Sequence, residues 1–339
     1  MKSPLKLLFA GLLIILLFAA MDVFNHEKPR ILILHSYTEE GRWEQAVNEG
    51  IKRELAKNRT PISIRWQYMA FTDQAGKTDW DDAAKQANHV INTFRPDILV
   101  PIGEEAQEYV GRHYVNDTHM RIIYATSERP DHFGYLGAKN VTGIREILPL
   151  SQITEVLRYL NQPSLRIRVL GMDDATGQAE REQVKDFLWA PNHLVDVQLV
   201  SNFDAWKAAV RTANEDADVL IVLSYNGLPL SASNAHQVDN KLLATWTERE
   251  SKPLVIGVRV PFAAGGGALA VVPSAEGMGA QIGKRILTLL ALPSGNALPR
   301  GDDSQDFLIA LRPQRLAKRK LSLPTIYTQA ARASHTLFE

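Results

Sequence analysis

The sequence predicts an α/β architecture: two doubly wound parallel-sheet lobes joined by a hinge and preceded by an apolar N-terminal export or anchor helix. Three observations lead there. Short apolar runs alternate with single amphipathic helices, the pattern of parallel strands joined by right-handed crossovers. The alternation restarts near residue 150, so 339 residues divide into two series of similar length. Residues 1–25 have a composition unlike everything that follows.

At the N-terminus Lys2 and Lys6 precede the uncharged run Leu7 to Met21 (LLFAGLLIILLFAAM). A basic start followed by ~7–15 apolar residues is the pattern of an export signal. The run is short of the ~20 residues of a membrane span, although Val23 and Phe24 extend it. Cleavage after Ala20 would put Phe18 where a small residue is wanted, so a cleaved signal and an uncleaved anchor over residues 7–24 stand as alternatives. With both lysines on the N-terminal side, the remainder is expected to cross the membrane and to be periplasmic.

The first lobe is expected over residues 29–143. Arg30 to Ser36 (RILILHS), Ile62 to Met69, Asp97 to Pro101 and Arg121 to Ala125 read as strands. Trp43 to Asn58, Asp79 to Phe94 and Glu104 to His113 read as the helices between them, Arg95-Pro96 ending the second. The second lobe is expected over residues 144–265, reached through the short strand Asn140 to Ile144. Its helices are Leu150 to Leu160, Gln178 to Leu188, Phe203 to Glu215 and Leu230 to Arg249; its strands are Arg166 to Gly171, His193 to Val200, Asp218 to Ser224 and Pro253 to Gly257. Residues 266–339 form a return segment that completes the lobes and a C-terminal strap, with strands Ala268 to Val272 and Asp306 to Leu311 and a helix Ser274 to Leu292. The basic stretch Arg312 to Lys320 reads as a solvated helix face.

Composition excludes several chemistries. The chain has no cysteine, hence no disulfide, Cys-based zinc site, thiol nucleophile or lipid-modified cysteine. It has 38 basic and 38 acidic side chains. Without the two lysines of residues 1–21 this becomes 36 against 38, net −2, which gives no reason to expect nucleic acid as a partner. Gly279 to Arg285 lacks the spacing of a phosphate loop, and Gly277, Gly279 and Gly283 read as close helix packing. There is no G-x-S-x-G elbow and no H-E-x-x-H. His35 ends a buried strand without an evident catalytic partner. No enzyme activity, cofactor or metal is expected, and the exported body should be a monomer.

Open parallel sheets bind ligands outside the carboxyl ends of their strands, where strand order reverses. In the first lobe those loops supply Ser36, Tyr37, Trp43, Gly103, Glu104 and Thr126; in the second they supply Asp173, Tyr225, Asn226 and Arg259. Hydroxyl, amide, aromatic and charged groups of this kind suit a small polar solute. Each also has a plain alternative. Ser, Thr, Asp and Gly before a helix are ordinary caps, the aromatics pack, Glu104-Glu105 suits a helix N-terminus, and Arg259 pairs with a neighbouring acid.

The order of segments resembles the ABC-transporter substrate-binding family of the type I periplasmic-binding-protein fold, from about Pro29 to Thr325. The residues that carry it are Ile31 to Tyr37 with Trp43 following, Pro96 to Val100, Asn140-Val141-Thr142-Gly143, the pair Leu157 to Leu170, Ala268-Leu269-Ala270 with Gly283, and Leu311 to Pro324. The resemblance implies a three-segment hinge, a small-molecule solute closed between the lobes, and delivery to an inner-membrane ABC permease. Glu104, Glu105 and Asp173-Asp174 depart from the family's small or Asn/Ser/Pro-rich loops and favour a solute with a positive or hydroxyl-rich portion. The absent lipid-bearing cysteine leaves a second reading, a membrane-anchored sensor that reports its bound state to a membrane signalling protein.

Overall fold

The computed structural model describes residues 28–70, 77–293, 295–319 and 321–339, together with Leu13 and Ile14. The apolar helix expected over residues 1–25 lies outside the described residues apart from those two. Among the described residues no helix is long and apolar enough to cross a membrane.

The first sheet takes β1 (Arg30–His35), β2 (Ser63–Tyr68), β3 (Ile98–Ile102), β4 (Arg121–Thr126), β5 (Val141–Arg145) and β13 (Asp302–Asp303). Its order is β13-β5-β4-β3-β1-β2, with every pairing parallel. Helices α1 (Arg42–Leu55), α2 (Lys77–Phe94) and α3 (Glu104–Tyr109) lie between the early strands. β1 shows why its sequence is continuously apolar rather than alternating. Ile31 and Ile33 join the core beneath α1, while Leu32 and Leu34 join the core beneath α2 and α3.

The second sheet takes β6 (Arg166–Met172), β7 (His193–Val200), β8 (Val219–Val222), β11 (Leu254–Gly257), β12 (Leu269–Pro273) and β14 (Phe307–Leu311). Its order is β14-β12-β11-β8-β6-β7. All pairings are parallel except that of β14, which runs antiparallel to β12 and so corrects the expectation of purely parallel sheets. Strand order reverses between β1 and β3 in one sheet and between β6 and β8 in the other. Helices α4 (Leu150–Leu157), α5 (Ala175–Asp186), α6 (Phe203–Asp216), α7 (Asn240–Glu250) and the one-turn α8 (Val260–Ala264) surround this sheet.

The chain passes between the sheets three times: from β5 to α4, from β12 to α9 (Ala275–Ala291), and from β13 to β14. α9 therefore returns to the first lobe, where Met278, Ile282, Ile286 and Leu289 share a core with Val47 and Ile51 of α1. The approach is close enough to demand glycine. A Cβ on Gly279 would lie 2.0 Å from the Val47 carbonyl oxygen, and one on Gly50 would lie 2.1 Å from that of Glu276.

Several elements differ from expectation. Leu230 to Arg249 is not one helix. It is a hairpin, β9 (Pro229–Ser231) and β10 (Asn234–Gln237), followed by α7. Ser231, Ser233 and Asn234 favour turns through local hydrogen bonding, and Asp239 restarts the helix by accepting from the Leu242 N–H at 2.8 Å. The helix expected to reach His113 stops at Tyr109 and continues as a 3₁₀ turn, Gly111–Tyr114. The basic stretch is only partly solvated. It forms α10 (Pro313–Lys318), but Arg312 donates to the Ala263 and Ala264 carbonyls, both at 2.8 Å, and Arg319 forks onto Glu248 and neighbouring carbonyls. A final helix, α11 (Thr325–Ala333), packs Ala331 and Tyr327 onto the second lobe.

Candidate functional site

The carboxyl ends of the two sheets meet at the crossing strands. In the first lobe, Ser36 follows β1, its Oγ donating to the Ile102 carbonyl at 3.1 Å and accepting from the Ala106 N–H at 2.9 Å. Ser36 thus ties β1 to β3 and caps α3 at the switch point. Gly103, with φ +93°, admits this contact because a Cβ there would lie 2.5 Å from the Ser36 hydroxyl. One oxygen of Glu104 accepts from the Ser127 N–H at 2.8 Å, the Ser127 hydroxyl at 2.5 Å and the Thr126 hydroxyl at 3.3 Å. Glu105 accepts from the Tyr37 hydroxyl at 3.2 Å. Burial, then the neighbouring Glu104 charge, raises the Glu105 pKa.

The second lobe contributes differently. Arg259, just after β11, is shared between two carboxylates. It reaches Glu146, just after β5, at 2.7 Å and Glu180 of α5 at 2.6 Å, and its Nε also donates to the Ser224 hydroxyl at 3.1 Å. Glu146 and Glu180 are 6% and 0% exposed. Burial disfavours the Arg259 charge, but these two acids outweigh it and raise its pKa. One oxygen of Glu146 is buried without a hydrogen-bond partner among the described residues. Gln183 of α5 fastens the same junction. It donates to the Ser127 and Glu146 carbonyls at 3.2 and 3.1 Å and accepts from the Leu148 N–H at 2.8 Å. Beside it lies an interlobe pocket of about 230 Å³ whose walls include Ser127 and Glu128 from one lobe and Glu182 and Gln183 from the other. Burial raises the pKa of Glu128, with His132 opposing and Glu104 and Glu182 adding to the rise.

Of the residues the sequence pointed to, Ser36, Tyr37, Gly103, Glu104 and Thr126 gather at the carboxyl ends of β1, β3 and β4, with Ser36 and Thr126 buried. Arg259 stands at the junction with Glu146. Trp43 is half-buried against the core between α1 and α9. Tyr225 is 2% exposed, its ring edge-on to Trp206 in the second-lobe core and its hydroxyl without a partner among the described residues. Asp173 and Asn226 are exposed at the rim, accepting from Gln178 and Asn240 respectively. Glu146, Glu180 and Gln183 were not singled out in the sequence. The available signal was Glu146 just after β5 and Glu180 on the inner face of a helix beside buried Ala179 and Val184.

His35 proves structural. It is fully buried, stacks 5.0 Å from Tyr68, and bonds through Nε2 to Asn48 Oδ1 at 2.8 Å. Burial lowers its pKa to about 4, against the Asn48 hydrogen bond.

No family model matches this sequence, and neither does any curated protein. Solved structures do. A ligand-free, open substrate-binding protein with adhesive properties from Clostridium difficile is 17% identical, with TM-score 0.64 over 88% of this chain and 96% of that one. An ABC domain in complex with L-Trp from Streptococcus pneumonia is 15% identical, with TM-score 0.63 over 90% and 98%. A leucine-binding protein, LivK, from Thermotoga maritima is 11% identical, with TM-score 0.52 over 77% and 82%. The fold is that of the type I periplasmic substrate-binding proteins.

Proposed function

We propose that this protein captures a small polar solute in the cleft between its lobes and presents it to an inner-membrane ABC importer, without catalysis. The observation that carries the reading is the meeting of two switch points at a three-strand crossing, with polar groups of both lobes on a shared junction. A solute that touches both lobes binds the closed arrangement better than the open one, so binding and closure are one equilibrium. The similar proteins named above, described by their titles as substrate-binding or leucine-binding, or as held with L-Trp, support a solute in this place.

The test is a thermal-shift screen of the full-length chain against amino acids, polyamines, sugars and nucleosides. A solute that binds only the folded state raises the melting point, by an amount that grows with its concentration. Saturable binding without turnover supports the proposal; turnover of a bound solute would overturn it. A second reading is favoured by the run Leu7 to Met21 and the lack of any cysteine: a sensor held at the membrane by its N-terminus. The intact mass of the mature protein separates the two, because a released importer component has lost residues 1–20 and an anchored sensor keeps them.

A further inference from the structure

We infer that the amino-end face of the first lobe lies on an anionic bilayer surface, with phospholipid headgroups in its basic groove and the exposed Leu136 at the acyl boundary. This rests on the membrane-anchored reading above and adds to it a docking face and a lipid chemistry.

The first support is position. A broad groove of about 1690 Å³ runs past the starts of β1, β3, β4 and β5, where Arg30, Asp97, Arg121 and Val141 line it, and along the segment that follows α9. Every pairing in this sheet is parallel, so these starts share one edge. The candidate solute loops lie at the other edge, about 17–20 Å away across strands of this length. The uncharged run Leu7 to Met21, extended by Val23 and Phe24, ends four residues before Lys28 of the groove. Four residues reach at most about 14 Å. A bilayer that holds this run therefore lies at the amino-end face and away from the carboxyl-end loops.

The second support is charge. His119 aside, the groove is lined by seven arginines and lysines against three aspartates, in a chain whose exported body is net −2. The aspartates are already engaged. Asp97 accepts from the Arg30 N–H at 2.7 Å, Asp117 from the N–H groups of His119 and Met120 at 2.7 and 2.9 Å, and Asp131 from the Arg129 fork at 3.1 and 3.2 Å. Arg145 is taken by Asp303, outside the groove, and Arg121 donates to the Leu289 carbonyl at 2.6 Å. Adding Asp303 and Glu27 of the tether to the acids still leaves the face positive. Lys139 and Arg300 are exposed and pair with no acid among the described residues.

The third support separates a bilayer from a soluble polyanion. Tyr135 is 4% exposed, stacks 5.5 Å from Tyr124, and donates its hydroxyl to Gln107 at 2.7 Å. Gly137, at φ +79°, turns the chain just beyond. Leu136, held between them on the wall of the groove, is 81% exposed. A bilayer interface satisfies both parts of this surface: the leucine enters the acyl boundary while the cations meet the phosphates. A soluble polyanion would engage the cations and leave the leucine in water.

The test places the full-length chain, by detergent removal, in vesicles of phosphatidylcholine alone or with about one-third phosphatidylglycerol, both containing nitroxide lipids. With no native cysteine, Ala297→Cys in the groove and Arg211→Cys on the second lobe each take a single dye. The inference expects lipid quenching at position 297 and not at 211, in the phosphatidylglycerol vesicles, and lost as salt rises. A basic residue near such a surface strengthens binding about fivefold. Lys139→Glu combined with Arg300→Glu should therefore lower the ratio of docked to undocked lobes at least about twentyfold. Leu136→Asp should lower it as well. All three side chains are exposed, so these variants keep the fold. A chain that floats with both vesicles but shows no quenching at 297, or equal quenching in both, overturns the inference and leaves anchoring standing. Quenching unchanged by the double variant also overturns it. Flotation with the anionic vesicles alone, with quenching at 297, upholds the docking face and overturns the anchor. Flotation with neither overturns both.

Discussion

Replacing Arg259 with methionine keeps most of the side-chain stem and removes the guanidinium that Glu146 and Glu180 share. The arginine side chain is 21% exposed and those of its partners 7% and 0%, so solvent screens the lost contacts only weakly. Removing one partner of a buried ion pair strands the other charge and costs about 3–5 kcal/mol. Here two carboxylates are stranded, which places Arg259→Met at the upper end of that range. Urea denaturation read by tryptophan fluorescence measures the loss. Arg259→Lys keeps a charge but not the fork, and its deficit should be intermediate. A cost below about 1 kcal/mol would contradict this, because it would mean that these acids are solvated without the arginine.

Three further predictions follow from separate parts of the molecule. Gly279→Ala forces a Cβ to within 2.0 Å of the Val47 carbonyl and should cost at least about 2 kcal/mol, whereas Gly134→Ala, with φ +73° and open space around it, should cost about 1 kcal/mol; chemical denaturation compares them. Ser274→Ala removes the side chain that accepts from the Gly277 N–H at 3.0 Å and should destabilise the start of α9 by about 1 kcal/mol, seen as faster amide exchange in its first turn. Burial holds the His35 imidazole at about 4, so in acid the unfolded chain takes up a proton that the folded chain refuses. His35 should therefore make stability climb by about 3 kcal/mol between pH 4 and 6.5 and add no slope above it, a component that His35→Gln should remove from the urea midpoints.

Legibility followed the range of the interactions. Strands buried on both faces, such as β1 and β12, announce themselves as unbroken apolar runs, and the Gly277-Gly279-Gly283 series signalled close packing before any partner was known. Gly279 and Gly283 do meet α1; Gly277 instead meets Asp306, between β13 and β14. The hairpin of Pro229 to Gln237 was hidden because its residues are exposed and its pairing is with itself, leaving no apolar period to read. β13 is only two residues, Asp302 and Asp303, and is a strand only because β5 lies alongside. The first-lobe loops could be placed because they follow directly from strand ends. That Arg259 pairs with acids was also legible as an alternative; which acids was not, since Glu146 and Glu180 lie 113 and 79 positions away and only the folded chain brings them together.

Closure of two lobes on a solute is directly measurable, because the chain has no cysteine. Exposed Asn92 of α2 and Arg211 of α6, one on each lobe, accept cysteines for a single dye pair. Saturating the protein with a bound solute should move the population to a state of higher transfer efficiency, with a midpoint equal to the calorimetric affinity. Full occupancy with an unchanged transfer distribution would contradict it.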